Sequence, residues 1–217
     1  MKTNIVKKLE CFFSKFKLEE YKNGQILIQA SEEPSGIFFL KKGIVKQYIT
    51  SKDGLETTLN IYKPFSFFPM TWALNDSANR YSFETASKKV TVYRAPKKEV
   101  INFLKSEPEV LYDLAKRAFS GIEGLLSRME YLMSGNAAAR LIIVLIILAR
   151  RFGQEQDGKT QIKLILTEKE IASQAGLARE TVSREIQKLK AKNLISYNSK
   201  ILTILNIDKL EEEISLH

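Results

Sequence analysis

Between Glu109 and Met133 the apolar residues fall at steps of three and four: Leu111, Leu114, Ala118, Ile122, Leu125, Met129 and Leu132. That spacing puts them on one stripe of an α-helix. The stripe runs through about three heptads, and no proline interrupts it. A helix this long outreaches the strand-rich segment that precedes it, so its stripe needs a partner. A second copy of the same helix would supply one as a homodimer seam. Packing against the rest of the chain is the other way to cover it.

The residues before this helix carry a different period. From 18 to 95 the stretches LEEY, GQILIQ, GIFFLKKG, IVKQYIT, ETTLNIY, YSFETA and VTVYRA are short and rich in β-branched and aromatic residues, the composition of strands. Asn23-Gly24 and Asp53-Gly54 read as hairpin dipeptides, because both supply the positive φ of tight turns. The regular turn spacing predicts a small β-barrel or sandwich. Pro96 then suits the start of a helix, and KKEVINFLK follows with helical spacing of Val100, Ile101 and Leu104.

Beyond the long helix, Ser134, Gly135 and Asn136 break the pattern and are the expected hinge. Gly135 can end one helix and Asn136 can cap the next. That next helix, to about Phe152, contains LIIVLIILA (141–149) between Arg140 and Arg150. The run is well short of the roughly 20 residues needed to cross a bilayer, so it reads as a buried helix. Residues 153–160 read as a polar loop and QIKLIL as a short strand.

The formal net charge of +9, from 34 Lys+Arg against 25 Asp+Glu, favours an anionic partner. Cys11 is the only cysteine and His217 the only histidine. Within one chain this excludes a disulfide framework, a Cys/His zinc site and a four-cysteine iron–sulfur cluster. Cys11 itself is expected to be a small buried hydrophobe. The N-terminus lacks the apolar core and cleavage site of a secretory signal. There is no nucleophile–base pair, no glycine-rich phosphate loop and no metal-ligand cluster. The chain therefore reads as a cytoplasmic non-enzyme with no membrane association, no metal and no cofactor.

Thr167 and Glu170 have the spacing of a capping box. Ile171, Ala172 and Ala175 give the helix they start a buried side, and Gly176 closes it. A second helix from Arg179 to Ala191 makes the pair a helix-turn-helix. At about 100° per residue, Val182, Ile186 and Leu189 project inward. Arg179, Glu180, Ser183, Arg184 and Gln187 project outward and crowd the first turns, the part of a recognition helix that enters the major groove. Arginine can read guanine O6 and N7, and glutamate can accept from cytosine. A solvated face with a Glu180–Arg184 ion pair would show the same pattern. The flanks favour DNA: ISY and ILTIL around Asn198-Ser199-Lys200 form a wing with Lys200 at its tip. Thr181, Lys169 and Lys188 complete the expected double-stranded DNA contacts.

LTEKEIASQAGLARETVSREIQKLKAKNLIS resembles the winged helix of the Crp/Fnr (cyclic-AMP receptor and fumarate–nitrate regulator) family, and the order of parts matches across nearly the whole chain. The resemblance implies an α+β protein: an N-terminal β-roll sensor like a cyclic-nucleotide-binding domain (1–108), a dimerisation helix (109–135) and a C-terminal winged helix-turn-helix (136–217). It implies a homodimeric transcription regulator. Arg179, Glu180 and Arg184 fall where the cyclic-AMP branch reads DNA. Glu180, Ser183 and Arg184 also match the Glu-x-x-Ser-Arg pattern of the other branch. Both read half-sites with a G·A core, so a palindrome with TGA in its arms is expected. Ala178 departs from the family, which often has a capping serine there.

The sensor half departs further. Cyclic-AMP binders carry a Gly-Glu-Leu cassette followed by Arg-Ser or Arg-Thr. Here the stretch is YKPFSFFPMTWALNDSANRYSFETA, in which Arg80 survives but Tyr81 follows it. The polar pair that would meet the adenine is replaced by Leu125-Leu126. A cyclic-AMP response is therefore not expected. Phe65, Phe67, Phe68, Met70 and Trp72 either form plain core or line a pocket for an apolar or aromatic effector, lying against Leu125, Leu126 and Met129. Residues 154–160 occupy a position where relatives touch RNA polymerase. The alternative is a small-molecule sensor whose DNA-binding half is vestigial or serves protein contacts.

Overall fold

On β3 (Ile37–Lys42) all of Ile37, Phe38, Phe39 and Leu40 are buried, so this strand has core on both faces. Strand side chains alternate, and the two sets go to two different clusters. Phe38 and Leu40 join Ile28, Val45, Phe68, Phe83, Val90 and Val92. Ile37 and Phe39 join Ile5, Leu9, Phe13, Phe67, Val100, Leu104 and Val110. The first cluster lies between two antiparallel sheets and the second between one sheet and helices.

The computed structural model describes residues 3–54, 56–134 and 136–215. Its contacts divide the chain into two units, Met1–Phe119 and Ser120–His217. In the first, β1 (Lys17–Lys22), β8 (Lys89–Ala95), β3 and β6 (Phe67–Phe68) make one sheet in that order. The second sheet runs β2 (Ile26–Ile28), β7 (Ser82–Thr85), β4 (Val45–Thr50), β5 (Glu56–Tyr62). This is the β-roll that the family resemblance implies, where turn spacing alone offers a small barrel or sandwich. Gly43 carries the chain from one sheet to the other with φ +95, and a Cβ there would stand 2.6 Å from the Lys89 carbonyl oxygen. No other residue meets both demands. α1 (Thr3–Phe13), α2 (Met70–Asn75) and α3 (Lys97–Ser106) complete the unit. Phe13 stacks on Phe39 at 4.7 Å and Phe12 on Phe103 at 4.0 Å.

α4 (Pro108–Ser134) is one helix of 27 residues and runs through the division between the units. Near its start, Val110 is buried and Leu114 packs on the helix-side cluster. Arg117 donates to the Phe65 carbonyl at 3.2 Å and pairs with Asp113 at 2.8 Å. Farther along, Phe119, Ile122, Leu125, Leu126 and Met129 are exposed.

The second unit is built on α5 (Ala137–Phe152), whose Leu141, Ile142 and Leu145 are fully buried. Asn136 caps it, accepting from Ala139 N at 3.0 Å. Around it lie α6 (Glu168–Ala175), α7 (Arg179–Ala191), α8 (Ile207–Ser215) and a sheet of order β11 (Ile195–Asn198), β12 (Ile201–Ile204), β10 (Lys159–Ile162), β9 (Gly153–Gln156). Among the described residues no helix is long and apolar enough to cross a membrane.

Four expectations are corrected. Cys11 is exposed: α1 turns Ile5, Leu9 and Phe13 inward, and Cys11 falls about 200° from Leu9. Asn23-Gly24 is a turn but not a hairpin, because β1 and β2 enter different sheets; only Asp53-Gly54 joins paired strands. Residues 153–160 are not a loop but include β9 and the start of β10, paired around Asp157 and Gly158 with positive φ. The strand read in QIKLIL ends at Ile162. Gly135, the centre of the expected hinge, lies outside the described residues, while Ser134 ends α4.

A polar cluster on β1 and β8 makes stability pH-dependent. Tyr21 Oη donates to Glu19 at 2.6 Å, and Arg94 pairs with the same carboxylate at 2.7 Å. Burial works to raise the Glu19 carboxyl, but Tyr21, Lys17 and Arg94 together hold it below its ordinary value. Burial, with the Glu19 charge behind it, pushes the Tyr21 phenol up to about 12. A phenol raised in the folded state binds its proton more tightly there than in the unfolded chain. Its contribution is complete below the unfolded value near 10 and is lost as pH rises towards about 12. Tyr21→Phe is expected to flatten the fall of melting temperature across that window. An unchanged alkaline limb would contradict the assignment.

Candidate nucleic-acid interface

The helix-turn-helix starts at a complete capping box. Thr167 Oγ1 accepts from Glu170 N at 3.2 Å, and Glu170 Oε2 accepts from Thr167 N at 2.6 Å. α6 ends at Gly176 in the left-handed region, φ +61. Arg140 of α5 fixes that end, with Nη2 donating to the carbonyls of Ala175 at 3.1 Å and Gly176 at 2.6 Å. Sequence reading missed this clamp. Ile171, Ala172 and Ala175 of α6 are buried with Val182, Ile186 and Leu189 of α7.

With that stripe turned in, Arg179, Glu180, Arg184 and Gln187 are exposed and Thr181 and Ser183 half-buried. The side chains of Arg179 and Arg184 are 68% and 66% exposed. Among the described residues Glu180 and Arg184 do not pair with each other. Arg179 stands 3.5 Å from Glu168, and Arg184 3.5 Å from Glu185. The ordinary surface ion pair that would have explained Glu180 and Arg184 is therefore not made. Ala178 is the N-cap of α7 and makes no side-chain cap hydrogen bond, so this helix start lacks the acceptor that a capping side chain supplies, and an anion can take that place.

The wing is tied to the same scaffold. β11 and β12 pair antiparallel around Ser199 and Lys200, both with positive φ. Leu166 N donates to the Lys200 carbonyl at 2.9 Å, and Tyr197 Oη to the Leu166 carbonyl at 2.7 Å. The wing tip is thereby fixed to the chain that enters α6. Lys200, Lys169 and Lys188 are exposed.

Residues 18–107 match the cyclic nucleotide-binding domain and residues 139–213 the Crp-like helix-turn-helix domain. The chain belongs to the Crp/Fnr family. It is 27% identical over 188 residues to the global nitrogen regulator of Nostoc sp., covering 86% of this chain and 84% of that one. TTHA1359 of Thermus thermophilus, a Crp/Fnr transcriptional regulator, superimposes with a TM-score of 0.71 at 25% identity, covering 92% of this chain and 98% of that one. A CooA variant from Carboxydothermus hydrogenoformans shares the fold with a TM-score of 0.82 at 22% identity, covering 98% and 96%. Crp/Fnr proteins are DNA-binding transcription regulators, and the outward face of α7 lies in the matched helix-turn-helix.

Within the first unit of this Crp/Fnr chain the sensor-side residues divide between two clusters. Phe68 faces the core between the sheets, whereas Phe65, Phe67, Met70 and Trp72 belong to the helix-side cluster. Tyr81 is half-buried against the first core and Arg80 is exposed. Asn79 holds that bend: its Nδ2 donates to the carbonyls of Gln29 and Tyr81, each at 2.9 Å. Leu125, Leu126 and Met129 lie on the exposed part of α4.

Proposed function

We propose that the chain acts in the cytoplasm as a homodimer that binds a palindrome with TGA-containing half-sites and regulates transcription without responding to cyclic AMP. The reading is carried by one observation: the outward polar face at the start of α7 is held by a buried stripe, a capped partner helix and a fixed wing. Arg179, Glu180 and Arg184 then meet base edges, with Thr181 and Ser183 beside them, while Lys169, Lys188 and Lys200 meet phosphates. The uncapped N–H groups after Ala178 are a further phosphate site.

The apolar face of α4 supports pairing of two copies. A cyclic nucleotide in the β-roll needs buried donors for its phosphate. Instead Phe68 stacks on Phe83 at 5.1 Å and lies 4.8 Å from Tyr62, and the Tyr62 hydroxyl donates to Gln47 at 2.9 Å. An effector, where one acts, is apolar or aromatic and contacts Met70, Trp72 or the leucines of α4. It changes the orientation of the two α7 helices through the segment 134–136. The β9–β10 hairpin is the surface offered to RNA polymerase.

A gel shift on a TGA…TCA palindrome tests this. Arg184→Ala is expected to weaken binding by about 1–3 kcal/mol and to relax base preference. Equal binding of the unaltered protein to a scrambled duplex sinks the proposal.

A further inference from the structure

Glu185 is a carboxylate at a position where the fold asks for an apolar side chain. It follows Val182 by three residues and precedes Leu189 by four, so it lies beside the inward stripe of α7. It is only 5% exposed. A buried charge needs partners. Two cations of the same helix supply them: Lys188 Nζ donates at 2.9 Å and Arg184 Nε stands at 3.5 Å. The side chains of these cations are 60% and 66% exposed. Glu185 also lines a cleft of about 330 Å³ with Asn136 and Ala137, at the positive end of α5, which favours a negative charge.

We infer that Glu185 is a positioning residue that sets the sequence specificity of α7. The inference rests on the proposed DNA-binding reading. An unrestrained arginine loses rotamer freedom when it docks on a base. With Nε drawn to the Glu185 carboxylate 3.5 Å away, the Arg184 side chain is steadied while its two Nη groups remain available as the fork that matches guanine O6 and N7. Lys188 is restrained in the opposite sense. To meet a phosphate it must leave a buried carboxylate, so it contributes little on non-specific DNA. One anion therefore steadies the base reader and restrains the non-specific binder.

Glu185→Gln keeps the shape and removes the charge. Glu185→Leu gives the site the side chain its neighbours suit, and the two cations it leaves behind are 60% and 66% exposed and keep their water, so no buried charge is stranded. Both variants and the unaltered protein are titrated by fluorescence anisotropy against the TGA…TCA palindrome and a scrambled duplex over a salt series, with thermal melts to match folded fractions. The ratio of palindrome to scrambled affinity is expected to fall about tenfold, and the salt slope on the scrambled duplex to steepen by about one per subunit as Lys188 is released. In an Arg184→Ala background, Glu185→Gln is expected to leave base preference where it is. A merely structural role moves the melt but neither the slope nor the ratio. Folded variants that keep both overturn the inference alone. An unaltered protein indifferent to sequence overturns the DNA-binding proposal and the inference with it.

Discussion

Glutamate at both Ile122 and Leu125 is expected to make the protein monomeric and to lower its affinity for the palindrome about 10²–10⁴-fold. Within one chain these side chains are 48% exposed each, beside Leu126 at 60%, Met129 at 54% and Phe119 at 70%. So many large apolar groups along one helix mark a contact surface. Full burial of such a side chain contributes about 1.5–3 kcal/mol, and with roughly half of each left to cover, each adds about 1 kcal/mol against a second copy. A pair of glutamates on each helix would place like charges opposite one another in that seam, desolvated and repelling. The subunit itself should fold, because the altered positions are exposed and glutamate is a good helix former. The large loss on DNA follows from geometry. A dimer binds its second half-site at the high effective concentration set by the first, and a monomer does not. Light scattering reads the mass and a gel shift the affinity. A double variant that stays dimeric and keeps its affinity rules out this seam.

The parts of this fold that were legible in the sequence are those written in a local code. The period of α4, the capping box at Thr167, the Gly176 stop and the limits of α7 all depend on residues within a few positions of each other. The same is true of the Ser199-Lys200 turn. What was not legible depends on partners distant along the chain. α1 went unassigned because its apolar residues Ile5, Leu9 and Phe13 acquire meaning only when β3 and α3 cover them. Asn23-Gly24 promised a hairpin, but which sheet a strand joins is decided by the whole β-roll. Phe67 and Phe68 are neighbours in one apolar string, yet the pleat sends them to different cores. On α7 the exposure of Arg179, Glu180, Arg184 and Gln187 follows the 100° projection, with Ser183 half-buried, and that projection also held an unread signal. Glu185 lies within about 60° of Val182 on the wheel, a charge at the margin of the buried stripe, and so a group that had to find partners. Arg140 was hidden for the opposite reason, since its partners are backbone carbonyls that no sequence pattern displays.

Phe68→Ala is expected to destabilise the β-roll by about 3–5 kcal/mol. Phe68 is fully buried on a two-residue strand paired with Phe38. Its ring stacks within 5° of parallel on Phe83, and Phe38 and Tyr62 lie 6.0 and 4.8 Å away. Alanine would remove the ring's contacts and leave a cavity that three aromatic neighbours on separate strands cannot close together. Typical domains have about 5–15 kcal/mol of stability in all, so the variant should melt many degrees lower or populate an unfolded sensor at ambient temperature. The measurement separates two roles for this side chain. If Phe68 lines a ligand pocket, the ligand-free protein already tolerates space beside it, and truncation should change the ligand-free melt by less than about 1 kcal/mol. If it is the keystone of a filled interior, the ligand-free protein suffers the whole loss. A large loss has a consequence for sensing: an effector cannot enter between the sheets without displacing the Phe68–Phe83 stack. It would then have to act from the helix side, where Met70 and Trp72 are only partly buried.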